Sequence, residues 1–241
     1  MKLVSCNLGV DAANATATVA IVGDSHATAW FAAVDAIGKK HGWIVITYTK
    51  SSCPVTAALR IQAGEKNSQN QADCQSWVEL LNKEISSNKQ ISTVFTASFS
   101  SAYSFASVDG NPLANPAVEG FTHVWEKWLS AGKNVVVFDD VPRTNGQYVP
   151  TCLASHADNP LACAVTVAQA LPKNMNITAA AKEMAEHGVT RISLADQFCD
   201  AKLCYPLVGR TIVYRDYSHL STEYALALVP YIESQLKQPG E

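Results

Sequence analysis

The sequence lacks the marks of a nucleic-acid-binding or membrane-spanning protein. Its 18 Lys and Arg residues stand against 21 Asp and Glu residues, a formal net charge of −3, and the longest basic run is Lys39-Lys40. A basic footprint for nucleic acid is therefore missing. No window approaches the roughly 18 uninterrupted apolar residues of a transmembrane helix. The first residues also contain no apolar stretch long enough for a signal peptide.

Fibrous and disordered classes are excluded by composition. With 12 Gly, 10 Pro and only 16% charged residues, the chain has neither a glycine period nor a charge-rich heptad. Its 48% of hydrophobic residues are enough to form a core. A chain of this length buries roughly 70–75% of its unfolded surface. We predict one domain over residues 1–241, with an N-terminal extension at 1–17 and an irregular excursion at 141–172.

Seven cysteines are unusual for a chain of this size in a reducing compartment. Six fall into local pairs beside loop-type residues, which favours three short-range disulfides and a location outside the cytoplasm. Buried free thiols are the alternative, because cysteine packs like a small hydrophobic residue. Cys6 is left over and can pair outside this chain. The predicted disulfides are Cys53–Cys74, Cys152–Cys163 and Cys199–Cys204.

Metal-binding spacings are missing as well. The sequence has no C-x₂-C pair and no nearby H-x₃-H, so neither a metal nor another cofactor is predicted. An oxidised domain without an export signal indicates a piece of a longer polypeptide. We expect a membrane part upstream of it.

Short apolar runs alternate with segments of helical periodicity. The apolar runs are typical of buried strands and cover residues 18–23, 43–48, 92–97, 134–139 and 189–194. The helical segments cover residues 27–40, 72–87, 117–131, 173–186 and 220–236. This alternation predicts the α/β class: a three-layer α/β/α sandwich around a five-stranded, mostly parallel sheet.

The loops after the strands are where a ligand is expected, because such sheets bind ligands outside their carboxyl ends. One motif, Gly23-Asp24-Ser25-His26, joins the first strand to the first helix. A serine there exposes its Oγ at the sheet edge, while its backbone N–H lies at a helix N-terminus that favours an anion. This is the arrangement of a nucleophile, although Asp and Ser are also ordinary helix caps.

A second motif, Asp216-Tyr217-Ser218-His219, precedes the last helix. An Asp three residues before a His can accept the Nδ1–H and leave Nε2 free as a base. Because the last loop also lies over the carboxyl ends, His219 Nε2 is predicted within hydrogen-bond reach of Ser25 Oγ. The alternative is a surface histidine beside a helix capped by Ser221.

The paired motifs resemble the SGNH (GDSL-like) hydrolase superfamily, and most closely the SGNH domain fused to acyltransferase family 3 membrane proteins. That subfamily has Gly-Asp-Ser-His-Ala, here residues 23–27, and Asp-x-x-His-Leu-Ser/Thr, here residues 216–221. It also has Lys-x-x-Cys-Pro, here residues 50–54, followed by a Cys near a Trp, here Cys74 and Trp77. The resemblance implies an SGNH-type fold with flavodoxin-like strand order. It implies that Ser25 is the nucleophile, His219 the general base and Asp216 its orienting partner.

The sequence departs from the wider superfamily at two oxyanion-hole positions. A Gly is usual after the second strand, where Ser51 and Ser52 stand, and an Asn is usual after the third, where the run 97–101 is Ala-Ser-Phe-Ser-Ser. A backbone N–H needs no particular side chain, so Ser51 or Ser52 can replace the Gly, and Ser52 is included in the predicted set. Ser98 and Ser100 are the candidate donors in place of the Asn. Together with Ser25 they make up the predicted oxyanion and substrate-binding set.

The function that follows is an O-acyltransferase, in particular an O-acetyltransferase, that forms a Ser acyl-enzyme and acylates a hydroxyl of a cell-envelope glycan or glycolipid. The resemblance implies a membrane acyltransferase family 3 domain as partner and the extracytoplasmic face of a bacterial membrane as location. A carbohydrate acetylesterase of the same fold and a catalytically weak glycan-binding module are the alternatives.

Overall fold

A six-stranded sheet forms the centre of the fold. The computed structural model describes residues 2–62, 69–108, 110 and 112–236. The sheet strands are β1 (Cys6–Gly9), β2 (Ala17–Gly23), β3 (Trp43–Thr49), β5 (Ile91–Ala97), β7 (Asn134–Phe138) and β9 (Val189–Ile192). Their spatial order is β1-β3-β2-β5-β7-β9. The last five are parallel and follow the flavodoxin-like order, so the predicted α/β class is confirmed.

The sheet has one strand more than predicted. β1 lies within the predicted N-terminal extension and pairs antiparallel with β3, where Cys6 is opposite Thr47. Its four residues include a single large apolar side chain, Leu8, so hydrophobic periodicity gave no signal for it. At this position it covers the edge that β3 would otherwise expose.

Both faces of the sheet are buried. Along β2, Val19 and Ile21 belong to one hydrophobic cluster, whereas Ala20 and Val22 belong to another. This division follows from the two-residue period of a strand and explains the uninterrupted apolar runs in the sequence.

Helices cover the two faces. The helices on one face are α2 (Phe31–His41), α9 (Thr222–Ala227) and α10 (Val229–Glu233), and those on the other are α3 (Gln69–Ser87), α4 (Pro116–Ser130) and α7 (Asn176–Met184). The remaining α-helices are α1 (Ser25–Ala29), α5 (Val149–Ser155), α6 (Val167–Ala170) and α8 (Ala195–Phe198).

Two predicted helices are each divided in the structure. The segment 27–40 is interrupted at Trp30, which separates α1 from α2, and the segment 220–236 is interrupted at Leu228. The second break comes two residues before Pro230, which has no N–H to continue the helical hydrogen bonds.

Short strands and 3₁₀ turns lie outside the central sheet. The small strands are β4 (Leu59–Ile61), β6 (Ser104–Ala106), β8 (Val165–Thr166), β10 (Leu203–Cys204), β11 (Leu207–Val208) and β12 (Thr211–Ile212). They pair antiparallel as β4–β6, β8–β10 and β11–β12. Short 3₁₀ turns cover Ala12–Asn14, Ser100–Ala102, Pro160–Cys163 and Ala185–His187.

The three predicted disulfides are confirmed. They join Cys53 to Cys74, Cys152 to Cys163, and Cys199 to Cys204. The second closes a loop within the excursion 141–172, and Cys6 is free and exposed. Within the described ranges, no helix has the length and apolar character that crossing a membrane requires.

Candidate active site

Ser25 lies at the carboxyl end of β2, as the first residue of α1. Gly23 makes this turn possible because β2 passes close to β5 there: a Cβ on Gly23 would lie 2.0 Å from the Ala97 carbonyl oxygen. The Lys50 N–H donates to the Gly23 carbonyl at 3.1 Å and ties the loop after β3 to the same turn. The Ser25 side chain is therefore held at the sheet edge, half-buried, where the sequence predicted it.

Asp24, which precedes the nucleophile candidate, is fully buried. Its Oδ1 accepts from the His26 N–H at 2.8 Å and caps α1. Its Oδ2 accepts from the Ser98 hydroxyl, the Phe99 N–H and the Tyr103 hydroxyl at 2.9, 3.0 and 3.2 Å. Burial raises the pKa of Asp24, although these four hydrogen bonds oppose the rise. Asp24 thus joins β2 to the loop after β5.

His219 connects Ser25 to Asp216. Its Nε2 lies 2.8 Å from Ser25 Oγ, and its Nδ1 lies 2.8 Å from Asp216 Oδ2. The fold brings Ser25 and His219 together although they are 194 positions apart in the sequence. The distance from Nε2 to Oγ falls within the predicted hydrogen-bond range. This linear series of contacts has the geometry of a Ser-His-Asp triad.

The Asp216 carboxylate also shapes its own loop. Its Oδ1 accepts from the Ser218 and His219 N–H groups at 2.9 and 2.8 Å. Partial burial raises the pKa of Asp216, but the hydrogen bonds from His219 and Ser218 outweigh it, so the pKa is lowered overall. Asp216 is therefore ionised at neutral pH and orients the Nδ1–H tautomer of His219.

His26 packs against the proposed base. Its ring stacks on Phe99 with centroids 4.3 Å apart, lies 4.8 Å from the His219 ring, and places Nε2 3.3 Å from Ser218 Oγ. Burial, with a smaller contribution from the nearby His219, lowers the pKa of His26 to about 3. A neutral imidazole thus forms one wall beside His219. The contacts of His26 with the 216–219 loop have no local signal in the sequence.

Ser98 and Ser100 require a correction as oxyanion donors. The Ser98 hydroxyl donates to Asp24, and the Ser100 hydroxyl donates to Asp140 Oδ2 at 3.1 Å. Both residues are buried. Since a hydroxyl has one hydrogen, neither is free for a substrate.

Ser52 has a backbone conformation that suits the oxyanion-hole position predicted for it. Its φ is +54°, the left-handed region that glycine favours and that few other residues adopt. Its side chain hydrogen-bonds the Tyr103 hydroxyl, which in turn donates to Asp24. Ser52 therefore stands where the superfamily has Gly and adopts a glycine-like conformation.

Asp140 is a buried carboxyl that follows β7. Its Oδ2 accepts from the Ser100 hydroxyl and the Ser101 N–H, and burial and the neighbouring Asp24 raise its pKa to about 7. Asp139 next to it instead forms a double hydrogen bond with Arg191. Nothing in the sequence separates these two adjacent aspartates.

One group among the described residues approaches metal-ligand geometry: Cys152, His156 and Cys163. The two sulfur atoms are bonded to each other, so neither is the thiolate that binds zinc. The group is better described as a disulfide beside an exposed histidine.

A cavity of about 330 Å³ lies at the carboxyl ends of β7 and β9. Its lining includes Trp30, Asp140 and Phe198, but not Ser25, His219 or Asp216.

Comparisons with known proteins agree with this fold. The family model described as "SGNH domain (fused to AT3 domains)" matches residues 2–234. No curated protein matches the sequence. The chain is similar in fold to the periplasmic domain of the lipopolysaccharide acetyltransferase of Salmonella ser. Paratyphi A, with a TM-score of 0.65 and 18% sequence identity. The match covers 94% of this chain and 89% of that one.

Proposed function

The chain belongs to the family of SGNH domains fused to AT3 domains, and from this premise we propose that it is an O-acyltransferase domain that uses Ser25, His219 and Asp216. The observation that supports this proposal is the hydrogen-bond series from Asp216 through His219 to Ser25, with both contacts at 2.8 Å. The similar fold of a lipopolysaccharide acetyltransferase domain supports an acetyl group as cargo and an envelope glycan as acceptor.

In the first half of the reaction His219 Nε2 takes the proton of Ser25 as Oγ attacks the carbonyl carbon of an acyl donor. The bond to the donor's leaving group breaks, and His219 returns the proton to that group. In the second half a sugar hydroxyl gives its proton to His219 and attacks the acyl-enzyme. The new ester forms, and Ser25 recovers its proton.

The negative charge on the carbonyl oxygen needs donors in both halves. The Ser25 N–H at the start of α1 and the Ser52 N–H in its left-handed turn are the two backbone groups we assign to it. Backbone donors suit this site because the Ser98 and Ser100 hydroxyls are occupied.

The partner in this proposal is an AT3 membrane domain that delivers the acyl group, and the location is the extracytoplasmic face of a bacterial membrane. Three disulfides support an oxidising compartment. The family's fusion to AT3 domains supports the partner.

Turnover of p-nitrophenyl acetate, with and without methyl glycosides as acceptors, tests the chemistry. Ser25→Ala and His219→Ala are each expected to lower kcat by on the order of 10⁴ or more, and the double variant little further, because the residues act as a unit. The exposed Ser234→Ala and His187→Ala are matched controls. Acetylated sugar supports the transferase, whereas free acetate alone supports an esterase. Equal rates for wild type and Ser25→Ala would refute the proposed role of Ser25.

A further inference from the structure

Two exposed tyrosines contact each other at the rim of the triad. Tyr148 and Tyr217 are 41% and 57% exposed, and their rings meet edge to face with centroids 5.0 Å apart. Large aromatic side chains are normally buried, so a contacting pair in solvent indicates a binding surface. We call Tyr148 and Tyr217 the tyrosine pair.

The tyrosine pair is fixed relative to the proposed base. Tyr217 directly follows Asp216 and is two residues from His219. The excursion supports the same loop: the Thr144 hydroxyl donates to the Tyr217 carbonyl, and the Val149 N–H donates to the Asp216 carbonyl at 3.4 Å. Two hydrogen bonds to main-chain carbonyls therefore hold the loop that carries Tyr217 and His219.

A tight turn presents Tyr148. Asn145 and Gly146 both have positive φ, +56° and +78°, and the Gln147 N–H donates to the Thr144 carbonyl at 3.2 Å. Thr144 is itself buried. Tyr148 is the residue immediately before α5, so its side chain extends from a short segment between the turn and the helix.

We propose that the tyrosine pair is the acceptor subsite and that a sugar ring of the acceptor packs on its exposed ring surface. This inference rests on the proposed function. A pyranose has an apolar C–H face and hydroxyl edges, which match a tyrosine's apolar ring and polar tip. Tyrosine also provides a large, rigid and amphipathic contact at low cost in side-chain entropy. A sugar held there has its hydroxyl edge near His219.

The subsite belongs to the second half of the reaction. The sugar O–H gives its proton to His219 Nε2, its oxygen bonds to the acyl carbon, and the bond between that carbon and Ser25 Oγ breaks as Ser25 regains the proton. The tyrosines transfer no proton; they hold the sugar so that this oxygen, rather than water, attacks.

Partition between transfer and hydrolysis is the measurement. With p-nitrophenyl acetate as donor and methyl glycosides of glucose, galactose, mannose and rhamnose as acceptors, acetylated sugar and free acetate are quantified by mass spectrometry. In Tyr148→Ala and Tyr217→Ala the ratio of transfer to hydrolysis should fall at least about tenfold, through a higher KM for the sugar, because a stacked ring contact is lost. The hydrolysis rate without sugar is measured in the same variants, so that a general change in esterase rate is separated from a change in the partition ratio.

Two controls isolate the ring contact. Tyr148→Phe and Tyr217→Phe keep the aromatic surface and should keep most of the partition ratio. Tyr231→Ala removes a similarly exposed tyrosine from α10, whose Glu233 contacts Lys40 and His41 at the opposite end of the sheet, and it should change nothing. Unchanged partition in both Ala variants, or an equal fall in Tyr231→Ala, overturns the subsite.

A binding experiment without turnover separates this inference from the proposed function. Saturation-transfer NMR with the same methyl glycosides on Ser25→Ala protein should show transfer to sugar C–H protons, and the signal should disappear when Tyr148→Ala or Tyr217→Ala is added. If wild type transfers nothing but this signal behaves as expected, the transferase is wrong and the sugar subsite stands. If no glycoside gives a signal that depends on the tyrosines, the subsite is wrong whatever the catalytic result.

Discussion

The turn that holds Ser25 and the loop that holds His219 are built in opposite ways. In the turn, Asp24 is fully buried and accepts four hydrogen bonds, and Gly23 fills a space too small for a Cβ. In the loop, the Asp216 and His219 side chains remain 29% and 24% exposed. The loop is shaped by hydrogen bonds to Asp216 and by contacts with the excursion.

The difference in burial determines whether a substitution changes the stability of the protein or its reaction rate. A group buried with full hydrogen bonding is costly to change, because its partners are left unpaired. A half-exposed group can lose a partner to water at little cost in stability, although its orientation changes. Substitutions of Gly23 and Asp24, which support Ser25 in the turn, should therefore act mainly on folding, and substitutions of Asp216 in the loop mainly on rate.

The largest expected effect comes from replacing each aspartate by asparagine. In Asp216→Asn, an amide NH₂ can face His219 Nδ1, which favours the wrong tautomer and should lower kcat by about 10⁴. The free energy of unfolding should change by no more than about 1 kcal/mol. Esterase kinetics and urea denaturation of the same preparation measure both quantities.

Asp24→Asn should show the reverse profile. Only one amide oxygen remains. It can accept either from the His26 N–H or from the Phe99 N–H and the Ser98 and Tyr103 hydroxyls, and the amide NH₂ then faces the donors on the other side. We expect a loss of about 3 kcal/mol in the free energy of unfolding. If the folded variant keeps its stability and instead loses rate like Asp216→Asn, the two regions do not differ as argued.

A loss of stability of similar size is expected from substitution of Gly23. In Gly23→Ala the new Cβ would lie 2.0 Å from the Ala97 carbonyl oxygen and 2.8 Å from the Ala27 Cβ. The first atom belongs to β5 and the second to α1, so the clash can be relieved only by moving backbone. We expect the free energy of unfolding to fall by about 3 kcal/mol. Denaturant midpoints measure it, and failure to fold would be the extreme of the same result.

Gly132→Ala is the matched control. Gly132 also has a positive φ, +76°, but apart from its chain neighbours no atom of the described residues lies within 4 Å of its added Cβ. Only the left-handed backbone cost of about 1 kcal/mol applies there. Equal losses at both positions would mean that φ, not the close approach to β5, is the constraint at Gly23.

The same contrast explains what the sequence could predict. The five parallel strands appear as apolar runs, and Ser25, Asp216 and His219 stand in local motifs, so these were accessible. The short strand β1, with Leu8 as its one large apolar residue, was not. The partners of Ser98 and Ser100 were also inaccessible, because Asp24 and Asp140 reach them from 74 and 40 residues away. Hydrogen bonds across the fold leave no periodicity in the sequence.

The smallest effect concerns the pH dependence of stability. The pKa of His26 is lowered to about 3 by burial. The unfolded chain therefore binds more protons than the folded one between about pH 3 and 6.5, and the stability His26 contributes is lost as the pH falls through that window. His26→Gln removes this pH-dependent contribution to stability. The variant's free energy of unfolding, relative to wild type, should rise by up to about 1.4 kcal/mol per pH unit on acidification.

The contribution of Asp140 to stability depends on pH in the opposite direction, which makes the test specific. Burial raises its pKa to about 7, so the folded chain holds the proton more tightly, and the associated stability is present below about pH 4 and lost as the pH rises to about 7. Asp140→Asn should therefore gain stability relative to wild type as the pH rises, while His26→Gln gains as it falls. His187→Gln, at an exposed position, controls for the substitution itself. Urea titrations at intervals from pH 4 to 7 measure the three slopes, and slopes of the same sign for His26→Gln and Asp140→Asn would contradict the burial of one of the two groups.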